Sequence, residues 1–143
     1  MMIAAEKGWE PANVIENLKK EQGNDFLKDI RWVDGSGLSR YNLMRPKDFI
    51  YILEALAKEV APDRLHALLP EAGKTGTLRN VQEIHPGARI WAKSGSFGNT
   101  YDLSGYYLTK EGKTLAFSVL SNLGNTSVKE IKQSVVEFLR AIH

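Results

Sequence analysis

Along the chain, apolar residues first recur at helical spacing, then gather into short runs, and return to helical spacing near the end. Val14, Ile15 and Leu18 share one face of a helix expected over residues 11–22, with Pro11 at a first-turn position and Gly23-Asn24 as its stop. A short apolar stretch, Ile30 to Val33, runs into Asp34-Gly35-Ser36-Gly37, a turn-forming cluster. Phe49, Ile52, Leu53 and Leu56 make the apolar stripe of a second helix over residues 46–59, opened by Pro46, with Lys47, Asp48, Glu54 and Lys58 mostly off the stripe. Pro62 opens a short third helix through Leu69 that Pro70 ends, and residues 71–76 read as loop.

The β signal comes later. Arg89-Ile90-Trp91-Ala92-Lys93 reads as a strand after the Pro86-Gly87 turn, followed by a short loop, Ser96-Phe97-Gly98-Asn99. Tyr101 to Thr109 and Thr114 to Asn122 are aromatic and β-branched runs separated by Lys110-Glu111-Gly112-Lys113, a hairpin signal in which Gly112 can take positive φ. A last helix is expected from Ser127 to Ile142, capped by Thr126 or Ser127 with Glu130 as its capping-box partner. Its face of Val128, Ile131, Val135, Phe138, Leu139 and Ile142 most simply packs across the sheet. Helices, then consecutive antiparallel strands, then a helix place the chain in the α/β class in the broad sense, α+β in detail.

Length and charge narrow the choice of partners. With 143 residues the chain is about one domain long, enough to bury a core. Its 19 basic and 17 acidic side chains are interspersed and sum to +2, so there is no footprint for nucleic acid or an anionic membrane surface. The absence of cysteine excludes disulfides, thiol catalysis and zinc-thiolate sites. No apolar run approaches the ~20 residues of a membrane span. Met1 to Glu6 lacks the basic segment and apolar core of a signal peptide, so the targeting segment of an exported protein is expected upstream.

The candidate chemistry is sparse. His66, His85 and His143 have no metal-ligand spacing and read as structural or surface residues, although a Ser-His-Asp set stays open because its members meet only in space. No Gly-x-Ser-x-Gly elbow and no phosphate-cradling loop is present. Two triplets join a lysine, a hydroxyl residue and a glycine: Lys74-Thr75-Gly76 and Lys93-Ser94-Gly95. On a strand edging an active site, such a lysine supplies positive charge for a terminal carboxylate and the hydroxyl hydrogen-bonds it. The glycine lets a guest backbone lie close, and a backbone N–H just beyond can steady an oxyanion. Lys74-Thr75-Gly76 follows a helix end, Pro70 and Gly73, and reads as loop. Lys93-Ser94-Gly95 follows Ile90-Trp91-Ala92 and precedes the hairpin, which is the context the chemistry needs.

Longer stretches carry a resemblance. Asp34-Gly35-Ser36-Gly37-Leu38-Ser39-Arg40-Tyr41-Asn42 closely resembles a signature of the class C low-molecular-mass penicillin-binding proteins, the D-alanyl-D-alanine carboxypeptidases and endopeptidases. Leu69-Pro70-Glu71-Ala72-Gly73, Gly76-Thr77-Leu78-Arg79, Ala92-Lys93-Ser94-Gly95-Ser96, Leu103-Ser104-Gly105-Tyr106 and Leu115-Ala116-Phe117-Ser118 follow in that family's order. The resemblance implies a partial β-lactamase/transpeptidase-like fold, with residues 1–143 as the C-terminal part of a catalytic domain. It implies acylation of a serine by a D-Ala-D-Ala peptide or a β-lactam, with no metal or organic cofactor, in the periplasm or otherwise outside the cytoplasm. Lys93, Ser94, Gly95 and Ser96 then take the catalytic strand, with the Ser96 N–H as oxyanion donor. Arg40 is set to receive a second carboxylate or to make a structural ion pair. Leu38 is set beside it as a substrate-binding residue, and Phe97 lines the substrate pocket or packs its loop. Asp34 reads as a turn former, and Trp9, Trp32 and Trp91 as packing residues.

The chain departs from the family in two motifs. No serine here begins Ser-x-x-Lys or Ser-x-Asn. The nucleophile is therefore expected upstream, and the chain alone is expected to be inactive. An apolar face left uncovered makes self-association a further expectation. The alternatives are a β-lactamase or esterase of the same fold, and a non-catalytic module that binds wall peptide.

Overall fold

Three nine-residue runs of aromatic, β-branched and small side chains pair as antiparallel strands: β1 (Arg89–Phe97), β2 (Thr100–Leu108) and β3 (Thr114–Asn122), in the order β1-β2-β3. This computed structural model describes residues 2–22, 25–81, 86–98, 100–122 and 125–141. The expected helix stop at Gly23-Asn24, and His85, Asn99, Ile142 and His143, lie outside the described residues. The chain forms two compact units, residues 1–48 and 49–143.

In the first unit are α1 (Met2–Lys7), a 3₁₀ turn (Pro11–Asn13), α2 (Val14–Gln22) and α3 (Asp25–Lys28). The helix expected from residue 11 thus opens as a tighter turn, and the helices at 2–7 and 25–28 carried too few residues for a periodic signal. Arg31 and Leu43 exchange backbone hydrogen bonds, closing residues 32–42 into a loop. Within that loop the Asp34 carboxylate accepts from both the N–H and the hydroxyl of Ser36, at 2.9 and 2.7 Å, so Asp34 forms the turn. Those bonds hold its pKa below the ordinary value.

The helix α4 (Pro46–Glu59) matches the expected stripe, and its residues from Phe49 onward belong to the second unit. It is followed by α5 (Pro62–Ala67), which ends two residues earlier than expected. The chain closes with α6 (Val128–Arg140), where Ser127 and Glu130 form the capping box.

The sheet is covered on both faces. Ile90, Ala92, Leu103, Tyr107 and Phe117 pack with Leu78 and with Ile131, Val135 and Leu139 of α6. On the opposite face Tyr106 packs with Leu53 of α4 and Leu65 of α5, and its hydroxyl donates to the Leu53 carbonyl at 2.7 Å. Each strand therefore alternates its side chains between two helical layers. Gly112 takes φ +81° in the β2–β3 turn, as its position demanded.

Candidate functional site

Strand β1 is longer than expected, because Ser96 and Phe97 stand in it rather than in a loop. Its pairing with β2 runs unbroken from Arg89↔Leu108 to Phe97↔Thr100, so the ladder to β2 carries Ser96 and Phe97 within the strand. Lys93, Ser94, Gly95, Ser96 and Phe97 are thus successive residues of one strand.

The two edges of β1 differ. One is bonded to β2 throughout. On the other, Ala72 N–H donates to Ile90 C=O and Ala92 N–H donates to Pro70 C=O, both at 2.9 Å. Ile90 and Ala92 therefore turn their backbone groups outward, and by two-residue alternation Ser94 and Ser96 do the same. Among the described residues, no backbone group bonds to Ser94 or Ser96 from that edge. The outer edge of β1 is covered up to Ala92 and open beyond it.

The cover is anchored. The Glu71 carboxylate accepts from Arg89 Nε at 2.8 Å and Lys74 Nζ at 2.9 Å, and these bonds, Arg89 first, depress its pKa to about 2. Glu71 also bridges to Trp91 through the backbone. The Trp91 ring is buried and stacks on His66, centroids 3.7 Å apart, with the Arg89 guanidinium 4.4 Å from its centroid. Lys74-Thr75-Gly76 stands in the loop of this cover, as its turn residues indicated.

Around the open half, side chains leave on opposite faces. Lys93 shares a face with Ser104 and Ser118, its successive cross-strand neighbours, whose hydroxyls bond at 2.8 Å. Lys93 Nζ curls back to donate to the Ser94 carbonyl oxygen, which brings the ammonium to the open edge. Ser94 leaves on the other face, where its hydroxyl donates to Thr77 Oγ1 at 2.8 Å. Thr77 lies on a 3₁₀ turn (Gly76–Leu78) whose Leu78 is buried in the core.

Gly95 pairs with Asp102, and a Cβ on Gly95 would meet nothing nearer than Asp102 Cβ at 3.9 Å. The fold itself leaves room for a side chain there. Burial pushes the Asp102 carboxyl pKa up, partly offset by the Ser121 N–H that donates to it at 3.1 Å. Phe97 is 50% exposed at the strand end. Thr77 and Asp102 had no role in the sequence reading; they lie 17 residues from Ser94 and 7 from Gly95, and only the pairing brings them near.

Leu38 and Arg40 stand in the first unit, exposed on the loop closed by Arg31 and Leu43, with Leu38 N–H donating to Ser36 Oγ at 3.0 Å. A cavity of about 570 Å³ is lined by Glu71, Lys74, Arg79, Val81 and Arg89 and includes none of residues 93–97. The open half of β1 forms an exposed ledge. Among the described residues, no cluster of three His, Asp or Glu side chains could hold a metal ion, and no helix is long and apolar enough to cross a membrane.

A three-stranded antiparallel sheet between helices, with Lys-Ser-Gly on its edge strand, is part of a penicillin-binding transpeptidase-like fold. The chain belongs to the D-Ala-D-Ala carboxypeptidase 3 (S13) family, whose model matches residues 4–142. It is 33% identical over 137 residues to the D-alanyl-D-alanine carboxypeptidase DacB of Haemophilus influenzae, covering 90% of this chain and 28% of that protein. It is 33% identical over 119 residues to penicillin-sensitive carboxypeptidase A of Dictyostelium discoideum, covering 75% of this chain and 23% of that one. Penicillin-binding protein 4 (dacB) from Haemophilus influenzae superposes with a TM-score of 0.64 at 28% identity, over 87% of this chain and 29% of the solved chain. The same protein complexed with a novel β-lactam matches equally, over 30% of that chain. The chain spans less than a third of the length of these relatives.

Proposed function

We propose that this chain supplies the carboxylate-gripping edge of an extracytoplasmic, serine-type D-alanyl-D-alanine carboxypeptidase. The observation that supports this reading is the open half of β1, where the Lys93 ammonium, the Ser94 hydroxyl and the outward backbone of Ser94 and Ser96 converge on one ledge. A stem peptide ending in D-Ala-D-Ala lies extended along it, adding a short strand to the sheet. Its terminal carboxylate sits against Lys93 and Ser94, and the missing Cβ of Gly95 lets the peptide backbone approach.

The Ser96 N–H donates to the scissile carbonyl oxygen as negative charge develops there. The attacking serine comes from outside this chain, which has neither Ser-x-x-Lys nor Ser-x-Asn. Its oxygen bonds to the carbonyl carbon, the C–N bond breaks, and the amine takes a proton and leaves as D-alanine. Water then cleaves the ester, releasing the shortened peptide and restoring the serine hydroxyl. A β-lactam acylates the same serine through its ring amide.

The longer polypeptide that carries this chain is expected to label with fluorescent penicillin and to release D-alanine from a D-Ala-D-Ala peptide. Lys93→Ala should lower D-alanine release by about 100-fold or more. The chain alone should do neither. A longer polypeptide that neither labels nor releases D-alanine would overturn the enzyme reading in favour of a wall-peptide-binding module.

A further inference from the structure

We infer that Thr77 is a positioning residue for Ser94, the two hydroxyls forming a relay that presents one proton to the substrate carboxylate. The inference rests on the proposed carboxylate site and adds to it a residue from a different part of the chain.

The contact is a single bond, Ser94 Oγ–H to Thr77 Oγ1 at 2.8 Å. As it stands, the Ser94 proton points at Thr77 and not at the ledge. A hydroxyl is one donor and two acceptor lone pairs, and its hydrogen rotates to suit its partners. When a carboxylate reaches the ledge, both protons rotate. Ser94 then donates to the carboxylate oxygen, and Thr77 donates to Ser94 Oγ. The two oxygens stay in place, so the switch moves no heavy atom. Each bond polarises the next, so the donor offered to the carboxylate is stronger than an isolated serine hydroxyl.

The relay needs a rigid mount, and Thr77 has one. Leu78, its neighbour, is 1% exposed in the main core. The Leu78 carbonyl accepts from Gly73 N–H and Val81 N–H, both at 2.9 Å, and its N–H donates to Thr75 C=O at 3.3 Å. The preceding segment is fastened to β1 through Pro70, Ala72 and the Glu71–Arg89 ion pair. Thr77 and Ser94 therefore ride on one body. Thr77 itself is exposed, so the core has no need of its hydroxyl.

The test is a double-mutant cycle on this chain, ¹⁵N-labelled and titrated with N-acetyl-D-Ala-D-Ala, following the Ser94 and Ser96 amide shifts. Thr77→Val keeps the shape and removes the hydroxyl; Thr77→Ser keeps the hydroxyl. Thr77→Val is expected to weaken binding about 5- to 10-fold, a partial loss of one charge-assisted hydrogen bond, and Thr77→Ser to restore it. Combined with Ser94→Ala, Thr77→Val should add nothing, because it acts only through Ser94. Wild-type affinity in Thr77→Val, or additive losses in the double variant, would overturn the relay while leaving the carboxylate site intact. Absence of any binding by the wild-type chain would instead sink the carboxylate site, and the relay with it. A ligand-free measurement separates Thr77 from that failure: three-bond couplings should show one Ser94 χ1 rotamer in wild type and averaging in Thr77→Val. Averaging already in wild type would refute the positioning role whatever the peptide does.

Discussion

The two halves of β1 share one strand and one ladder yet live in different surroundings. From Ile90 to Ala92 the side chains are buried and the backbone is bonded on both edges, to β2 and to residues 70–72. From Lys93 to Phe97 the side chains are exposed or half-exposed, and only the β2 edge is bonded to another strand or segment through the backbone, among the described residues. The register does not break between them. The open half therefore draws its rigidity from the covered half and from β2, and its residues are freed from any duty in the core. Catalytic groups are held more accurately on such an element than on a loop.

The glycines of the sheet make the same contrast. A Cβ on Gly105, facing the covered half, would overlap the Trp91 carbonyl oxygen and sit 2.5 Å from Ala92 Cα. Gly105→Ala is therefore expected to cost about 3 kcal/mol or more, read as a lower urea midpoint or as failure to fold. A variant of wild-type stability would mean that the covered half is looser than its packing.

A smaller effect is expected where the cover is pinned. Glu71 titrates near 2 when folded against 4.5 ordinarily, so its contribution to stability is complete above about pH 5. It is lost as the pH falls from there through 2. Arg89 and Lys74 are both about half-exposed, which limits the gain to about 1–2 kcal/mol. Glu71→Gln should lower stability by that amount at pH 7. The gap from wild type should close as pH drops toward 2, measured by urea unfolding across that range. A gap that stays constant with pH would assign the pinning to packing.

The smallest effect on folding is expected at Gly95. Gly95→Ala places its Cβ at ordinary contact distance from Asp102 and should change stability by no more than about 0.5 kcal/mol. Titration with N-acetyl-D-Ala-D-Ala should show weaker binding in the same variant. Unchanged binding would show that no guest backbone comes close to this position.

Much of the architecture was legible from local signals. Pro46 and the stripe of Phe49, Leu53 and Leu56 delimit α4, the Ser127–Glu130 pair marks the start of α6, and Gly112 marks the hairpin. The strand that carries Lys93-Ser94-Gly95 was legible because those residues come consecutively after an apolar run. Three features were not, each set by pairing between segments rather than by local composition. Ser96 and Phe97 extend β1 because Tyr101 and Thr100 pair with them. Residues 70–72 cover an edge although Pro70 and Gly73 suit a loop, since one bridge of two hydrogen bonds suffices. Thr77 meets Ser94 across 17 residues, a proximity that no local pattern encodes.

The cover ending at Pro70 has a further consequence. Five residues of the edge, about 17 Å, are left for an added strand, and that berth is shut at the Ala92 end. An extended guest can run out past Phe97 but cannot continue past Ala92, where Pro70 already occupies the seat. On the proposed reading, such a berth would take a peptide by its end and exclude one that threads straight through.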